Sequence, residues 1–570
     1  MINQLAERTI ARVLGIGSGF VAVLVVTGTV TDPVNVTKLF ALGGVAAAAM
    51  AVLLAFGLQE LWASSKALVI FAGLFLISGI NTIINSGGPM TQNFYGAYGR
   101  NTAFIAYLLL LCVSLSVAVI RRDVSFKYLI WGLFGAGFVN VLYCAWVIAF
   151  GDFIPWSNPY GNILGTFGNP NFIGAFLGLF AATLVAYSFK QGTSLTIRIA
   201  VLIVFLITLY EIVDSNAIQG RVVVAAGLGI VGFYLVRSKF ESFLAHAVYV
   251  FIVGVAGILA LLGALQIGPL TKYIYKSTVS LRGEYWQAGW NMGSEHPFTG
   301  VGFDTYGDWY RRARDTQALI LPGPNVTTNA AHNVPFDVFA FGGWPLFISY
   351  LGILALSVIA IIKVTLRNRK YDAVFVTLTT AWACYQLQSV ISINQIGLAV
   401  WGWLFGGALI AYEITTRPKI VSESAETTKS KSAQGRSAKA KQGETVVTST
   451  LLAGVGAVIG LLIAVPPYSA DAKWRSALGT QDLNKIEAAL IPGYLNPPNS
   501  YKYANAVQLL ESSKLFDISL KYAQIGVQFN PDNFDAWRVL YFISKSSPEV
   551  KALALENMKR LDPNNPNVLG

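Results

Sequence analysis

The chain is poor in charged residues for its length. Only 12% of its 570 residues are charged, whereas an ordinary soluble protein has roughly 25%. At the same time 54% are hydrophobic, and the mean hydropathy is +0.55. This composition excludes a generally disordered chain and a soluble multidomain enzyme.

Cysteine and histidine are also scarce, with three residues of each. The cysteines all lie inside apolar runs: Cys112, Cys144 and Cys384. That placement excludes a disulfide framework and a thiolate zinc site on an exposed loop. The histidines are too scattered for a histidine metal centre: His246, His296 and His332. A P-loop and a DxD motif are absent as well, so we expect no nucleotide cofactor.

The apolar residues fall in runs of about 20, the length of a helix that crosses a bilayer core of ~30 Å. Thirteen such segments are centred near residues 21, 48, 76, 111, 139, 180, 204, 228, 254, 348, 381, 404 and 457. The first is too long for a secretory signal and lacks a cleavage site. The sequence therefore predicts an all-α, polytopic helical membrane protein with about 13 transmembrane helices.

The distribution of lysine and arginine predicts the orientation. With the N-terminus inside, fourteen of these residues fall on short cytoplasmic loops and three on short outer loops, which are Lys38, Arg100 and Arg221. The net charge of +12 is interpreted as this positive-inside bias, so we expect no nucleic acid partner. We expect a multi-pass protein of the inner (cytoplasmic) membrane, in contact with membrane lipids.

These assignments divide the chain into four parts with one large loop. The predicted parts are a membrane domain (1–413, with a large extracytoplasmic loop at 267–333), a basic cytoplasmic linker (414–448), a last transmembrane helix (449–466) and an extracytoplasmic helical domain (467–570). The loop of about 65 residues is much longer than usual connections, and such loops are often functional.

The C-terminal part contains an internal repeat. Pro497, Pro531 and Pro563 recur at spacings of 34 and 32 residues, in the turns NPPN, NPDN and DPNN. Two helical patterns run between successive turns, as at 501–512 and 516–529. A helix–turn–helix period of 34 residues is typical of tetratricopeptide repeats, although the full consensus is absent, and an unrelated small helical domain is the alternative.

Several polar residues lie where predicted spans reach the outer surface. Arg221 opens span eight. In the large loop, Arg282, Trp286 and Trp290 have the spacing of one helix face, which places a cation beside two aromatic rings. Each feature has a structural alternative, because an arginine at a helix end is often a membrane anchor.

Two further segments are candidates on the same side. His332 and Asn333 stand where the large loop re-enters the membrane, and Asn169 and Asn171 stand just before span six. A lone histidine is often structural, and GNPN can be a turn with a helix cap. Their convergence at one membrane boundary favours a site, since guanidinium groups bind phosphates by bidentate hydrogen bonds and an imidazole of near-neutral pKa can take a proton.

At this point the motifs resemble a known family. GTFGNPNF, the R-x3-W segment of LRGEYWQAGW, HPFTGVGFDTY and AHN at the head of a span are similar to those of the O-antigen ligase / O-antigen polymerase superfamily. The resemblance covers roughly residues 10–415. It departs from the family at Gly220, where many members have serine before the arginine.

The resemblance implies a glycosyltransferase C-type membrane fold and a polyprenyl-diphosphate-linked glycan as donor. It implies metal-independent, inverting transfer of that glycan onto an acceptor hydroxyl at the outer face of the cytoplasmic membrane. By similarity, Arg221 and Arg282 hold the diphosphate and His332 activates the acceptor. Asn333, Trp286, Trp290, Asn169 and Asn171 are the expected substrate-binding residues. The acceptor is a glycan, a lipid or a protein, and the C-terminal repeats are expected to dock the acceptor or a protein partner.

Four alternatives remain open at this level. A protein O-oligosaccharyltransferase uses the same chemistry with a different acceptor. A transporter or flippase of lipid-linked glycans normally has ionisable residues near the midplane of the bilayer, and the spans here are apolar at that depth. A scaffold built on the repeats is a third possibility. A metal-dependent oligosaccharyltransferase could use Glu211 and Asp214, but two acids make a weak metal site.

Overall fold

Apolar sequence forms helices in a membrane because every backbone polar group must find its partner within the same segment. In the computed structural model, which describes residues 2–274, 277–418, 435–480 and 482–569, helices account for the regular structure and no strand is present in those residues. The predicted all-helical fold is confirmed. Of the basic linker predicted at 414–448, residues 419–434 lie outside the described residues, and residues 435–448 belong to the helix Gly435–Thr480.

The helices as far as residue 418 are α1 (Gln4–Val23), α2 (Asn35–Phe56), α3 (Leu58–Asn85), α4 (Met90–Tyr95), α5 (Phe104–Val117), α6 (Asp123–Phe150), α7 (Pro170–Ser188), α8 (Leu195–Asp214), α9 (Ile218–Lys239), α10 (Phe243–Ala264), α11 (Thr271–Ile274), α12 (Ser277–Glu295), α13 (Tyr306–Ala313), α14 (Gln317–Ile320), α15 (Val334–Arg367), α16 (Ala373–Val390) and α17 (Ile396–Thr415). A 3-10 turn at Gly165–Phe167 precedes α7.

The remaining helices are α18 (Gly435–Thr480), α19 (Leu483–Leu490), α20 (Ser500–Ser512), α21 (Phe516–Phe529), α22 (Phe534–Phe542), α23 (Pro548–Leu561) and α24 (Pro566–Leu569). Helix α20 packs on α21, and α22 packs on α23. The C-terminal part thus consists of paired helices whose connecting turns include NPPN, NPDN and DPNN.

The chain is a multi-pass membrane protein. In the described residues, ten helices are long and apolar enough to cross a membrane: α2, α3, α6, α7, α8, α9, α10, α15, α17 and α18. The other three predicted spans are also helical, namely α1, α5 and α16. The first predicted span was placed too far along the chain, since α1 ends at Val23 and the following residues form a loop.

Helix α18 belongs to the membrane bundle, although it lies far from its neighbours in sequence. It packs along α2, where a Cβ atom on Gly43 would lie 2.6 Å from the carbonyl oxygen of Gly460. Small residues at such a crossing let two backbones come close together. The contact fixes the start of the C-terminal helices beside the loop that follows α1.

Helix α15 is broken at Gly343, which has φ 62° and ψ −158°, just before Pro345. The break frees backbone groups that need partners in a membrane protein. The segment HPFTGVGF supplies them: Val301 N–H donates to the Ala340 carbonyl at 2.9 Å, and Pro297 C=O accepts from Trp344 N–H at 2.9 Å. This motif is thus an ordered part of the break in α15.

Candidate functional site

A cavity of about 840 Å³ brings together residues that are distant in sequence. Its lining comes from the loop after α1, the loop before α5, the loop before α7 and the first turn of α7, the start of α9, helix α12, the segment before α15, the loop between α16 and α17, and the end of α18. We call it the arginine cavity because three arginines line it: Arg100, Arg282 and Arg475. Its size is within the range of small-molecule sites, ~300–1,000 Å³.

One carboxyl group, that of Asp32, accompanies the three guanidinium groups of the arginine cavity. Its Oδ1 accepts hydrogen bonds from the backbone N–H groups of Val34 at 3.0 Å and Asn35 at 2.9 Å, at the start of α2. Burial raises the pKa of Asp32. The lining therefore has an excess of positive charge, which suits an anionic ligand.

Asp304, from HPFTGVGFDTY, holds the loop that carries Arg100. Its carboxylate accepts from Ala97 N–H at 3.2 Å and from Thr102 N–H and Oγ1 at 3.0 Å. The guanidinium of Arg100 in turn donates to the Asn329 side chain. Burial lowers the pKa of Arg100, which indicates that this cation is incompletely solvated and would gain from an anion.

His332 is held by its neighbours in an unusual backbone conformation, with φ 55°. Before it, Ala331 N–H donates to Oδ1 of Asp337 at 2.6 Å; after it, Asn333 caps α15 by accepting from Phe336 N–H at 3.2 Å. The expected near-neutral pKa was wrong. Burial, with the charges of Arg100 and Arg282, lowers the pKa of His332 to about 4, so the ring is neutral at physiological pH.

Arg282 is half-buried in the wall of the arginine cavity, and burial lowers its pKa. Its predicted neighbours on α12 lie elsewhere. Trp286 packs on Phe336 with ring centroids 6.0 Å apart, and Trp290 packs on Phe339 at 5.1 Å. Neither tryptophan lines the arginine cavity. The structure thus brings Arg282, but not the two rings, to this cavity.

Asn169 and Asn171 both line the arginine cavity. Asn169 caps α7, because its Oδ1 accepts from Asn171 N–H at 2.9 Å, and Pro170 occupies the first turn of the helix. The Nδ2 group of Asn169 donates to the Tyr160 hydroxyl at 3.3 Å. Asn169 therefore both caps α7 and lines the arginine cavity. Asn333 caps α15 and does not line the arginine cavity.

Arg221 is exposed at the start of α9, outside the arginine cavity, while Gln219 two residues earlier lines it. The departure from the family at Gly220 has a steric reason. A Cβ atom there would lie 2.5 Å from the carbonyl oxygen of Gly174, so a serine could not occupy this crossing of α9 and α7 without moving a helix. The structure does not bring Arg221 together with Arg282 and His332.

A second cavity, of about 510 Å³, lies between the membrane part and the C-terminal helices. We call it the interdomain cavity. Tyr285 and His332 line both cavities, with ring centroids 5.8 Å apart. Asn329, the partner of Arg100, also lines the interdomain cavity. The imidazole of His332 therefore lies between the arginine cavity and the interdomain cavity.

Buried ion pairs fix the C-terminal helices to α13 and the residue after it. Asp562, from the turn DPNN, is fully buried and contacts Arg311 at 3.1 Å and Arg314 at 2.7 Å. Arg312 contacts Asp532, from the turn NPDN, at 3.0 Å. The turns that reveal the repeat in the sequence are thus the ones that contact the membrane part.

Glu211 and Asp214 do not become a metal cluster in the part of the chain that is described, where no group of three His, Cys, Asp or Glu side chains could hold an ion. Glu211 is buried in α8. The alternative that uses these two acids gains no third ligand from the described residues.

Sequence reasoning missed Arg475, and it counted Arg100 only as an outer charge. Arg475 follows the last span and stood in no recognised motif. One feature of the sequence could have identified Arg100 as a site residue. It is one of only three cations predicted on the short outer loops, where lysine and arginine are normally rare. The acids that position the site, Asp304 and Asp337, are in or next to the motifs but were not singled out.

Residues 171–351 match the family model described as O-antigen ligase. The matched segment includes α9, α12, His332 and the break in α15. No curated protein matches the chain. The chain is therefore a multi-pass membrane protein with a segment similar to O-antigen ligases, a likeness that supports a part in surface polysaccharide assembly in general.

Proposed function

We propose that the protein transfers a glycan from a polyprenyl-diphosphate carrier to an acceptor hydroxyl at the outer face of the cytoplasmic membrane. The observation that carries this proposal is the convergence of Arg100, Arg282, Arg475 and His332 on one cavity. Guanidinium groups can grip a diphosphate by charge-assisted, bidentate hydrogen bonds. The amides of Asn169 and Asn171 in the same cavity suit the first sugar of the donor.

In the proposed reaction, a neutral His332 takes the proton as the acceptor hydroxyl attacks the anomeric carbon. The new carbon–oxygen bond forms on the face opposite the diphosphate, so the configuration is inverted. The bond between the anomeric carbon and the phosphate oxygen breaks, and its electron pair leaves with the polyprenyl diphosphate. The arginines stabilise this departing charge, and the proton on His332 passes to water.

Donor binding would also change the basicity of His332. The neighbouring Arg100 and Arg282 lower its pKa in the free protein. An anionic diphosphate on the same guanidinium groups would offset their charge and raise the pKa of the imidazole. The imidazole would then be a stronger base with the donor bound than in the free protein, where its low pKa keeps it unprotonated.

A direct test uses the purified full chain in lipid nanodiscs, supplied with the lipid-linked glycan extracted from the producing cells. Inverting transfer predicts a glycosylated acceptor and one free polyprenyl diphosphate for each transfer. Translocation of an unchanged lipid-linked glycan without release of the carrier would instead favour the transporter. Mass analysis of surface glycans in cells with and without the gene distinguishes ligase, polymerase and protein O-oligosaccharyltransferase by the acceptor that loses its glycan.

The outer location of the site is part of the proposal. Reporter fusions after Lys441 and after Lys473 should lie on opposite sides of the membrane, cytoplasmic and extracytoplasmic respectively. The same side for both reporters would contradict the proposed topology.

A further inference from the structure

The interdomain cavity is built by two parts of the chain. The membrane part contributes side chains around α4, the large loop and the segment before α15, while the C-terminal helices contribute Asn499, Ser500, Tyr501, Asn533 and Asp535. These residues lie at the starts of α20 and α22 and in the turns before them. The last 90 residues therefore form one wall of a space that also contacts His332.

The contact between the two walls is a defined one. Asp308 on α13 accepts from Gln92 Nε2 at 2.9 Å, from Asn530 Nδ2 at 3.0 Å and from Asn533 Nδ2 at 2.8 Å. The ring of Tyr98 stacks on that of Tyr501, with centroids 4.0 Å apart and an interplanar angle of 3°. Hydrogen bonds to the half-buried carboxylate of Asp308 and stacked rings hold the two cavity walls together.

The lining has the chemistry of a sugar-binding site. It combines amides, carboxylates, hydroxyls and aromatic rings, among them Asn329, Asn499, Asp535, Ser500, Tyr285 and Tyr501. The Oγ atom of Ser500 is buried, and within the described residues it has no hydrogen-bond partner. Such a group has a cost unless a ligand or water satisfies it. Amides and hydroxyls match sugar hydroxyls, and tyrosine rings match the apolar faces of sugars.

The same lining argues against other ligands. A lipid acceptor would need an apolar wall, whereas these side chains are predominantly polar, and about a third of them belong to the C-terminal part of the chain. An anion would meet Asp304, Asp308 and Asp535, while the one arginine of the lining, Arg311, already contacts Asp562. A neutral, hydroxyl-rich chain fits this balance of charges.

We propose that the interdomain cavity binds the saccharide that bears the acceptor hydroxyl, with the C-terminal helices as one wall of the binding site. The assignment of this saccharide as acceptor rests on the proposed glycan transfer; saccharide binding itself does not. Entry through this cavity brings a hydroxyl to His332 from a space other than the arginine cavity, where the donor is proposed to lie. The two substrates then meet at the one imidazole that both cavities share.

The test uses the full chain in nanodiscs and a defined probe, the lipid-free oligosaccharide released by mild acid from the surface polysaccharide of the producing cells. Saturation-transfer NMR reports binding of this saccharide without any reaction. Ser500→Trp fills the cavity from the start of α20, and Ser513→Trp, exposed at the other end of the same helix, is the matched control. We expect saccharide binding to weaken by at least about tenfold in Ser500→Trp and to stay unchanged in Ser513→Trp.

Tyr501→Ala removes a ring without adding bulk, and Phe542→Ala removes an exposed ring of the same domain that does not line the cavity. We expect only Tyr501→Ala to weaken saccharide binding, with donor binding retained in all four variants. Equal binding by wild type, Ser500→Trp and Tyr501→Ala would overturn the proposed cavity, as would no binding to wild type. A third outcome separates the two proposals. If the wild type binds the saccharide and the two cavity variants bind it more weakly, but the wild type performs no transfer, the result supports the cavity and contradicts the proposed function.

Discussion

The rings of Tyr285 and His332 lie side by side, with centroids 5.8 Å apart and an interplanar angle of 33°, and both residues line two separate cavities. Burial raises the pKa of Tyr285, which keeps its hydroxyl protonated. The pair therefore offers one neutral base and one hydrogen-bond donor where the two spaces come closest. A base in this position can contact an acceptor from one side while the donor occupies the other.

His332→Ala should reduce turnover by the ~10²–10⁴-fold typical of losing a general base, with donor binding nearly intact. Turnover and donor affinity are to be measured on the same folded, purified protein. His246→Ala is the control, since His246 lies in α10 and lines neither cavity. Unchanged turnover in folded His332→Ala would remove the imidazole from the mechanism, and equal loss of donor binding would indicate a structural role.

The pH dependence should differ between free and donor-bound protein. The pKa of His332 is lowered to about 4 in the free protein, so kcat/KM for the donor should stay high until the pH falls towards that value. A bound diphosphate raises the pKa, so the acid limb of kcat should lie at higher pH than that of kcat/KM. Both limbs are read from initial rates across pH. A kcat limb at lower pH than the kcat/KM limb would contradict diphosphate binding beside the imidazole.

Arg282→Ala should weaken donor binding by about tenfold to a hundredfold, because a charge-assisted hydrogen bond contributes ~1.5–3 kcal/mol. Arg282→Lys should restore only part of it, since an ammonium cannot form the bidentate fork. Arg221→Ala is the comparison at an exposed position outside the arginine cavity, and we expect a smaller loss of donor affinity there. Equal losses in Arg221→Ala and Arg282→Ala would restore the diphosphate role that family resemblance implied for Arg221.

The helical membrane fold could be predicted from the sequence because spans of apolar residues have one stable solution in a bilayer. His332, Arg282, Asn169 and Asn171 were named from motifs, and they meet at one cavity. The tryptophans of α12 were not separable from Arg282 by spacing alone. Residues on one face of a helix are still separated along its axis, by ~1.5 Å per residue. Trp290 therefore lies about 12 Å along the axis from Arg282, too far to be assigned to the same cavity from spacing alone.

Arg475 illustrates what the sequence could not provide. It reaches the arginine cavity only because α18 packs along α2 through Gly43 and Gly460, a contact between distant parts of the chain. Periodicity describes a helix but not its neighbours. The interdomain cavity depends in the same way on buried pairs between α13 and turns in the last 90 residues.

Transfer by purified membranes should survive chelation with EDTA. The proposed chemistry uses imidazole and guanidinium groups, and the pair of acids at Glu211 and Asp214 has no third ligand among the described residues. The measurement compares transfer rates before and after EDTA, with magnesium or manganese added back. Lost activity that a metal restores would move the site to Glu211 and Asp214, and Glu211→Gln would then abolish the restored rate.

Asp562→Ala should release the C-terminal helices from the membrane part. The carboxylate is fully buried between Arg311 and Arg314, and removing it leaves two buried guanidinium groups without their partner. Breaking a buried pair in this way costs ~3–5 kcal/mol. Hydrogen exchange should therefore rise in α13 and at the start of α22, and transfer should fall while donor binding persists. Asp517→Ala is the matched control, because its 80%-exposed side chain pairs with Lys545 and exposed pairs contribute little. Unchanged hydrogen exchange in Asp562→Ala would mean that these ion pairs do not hold the interdomain cavity together. Faster exchange with full transfer would mean that the C-terminal wall of the cavity is dispensable for the reaction.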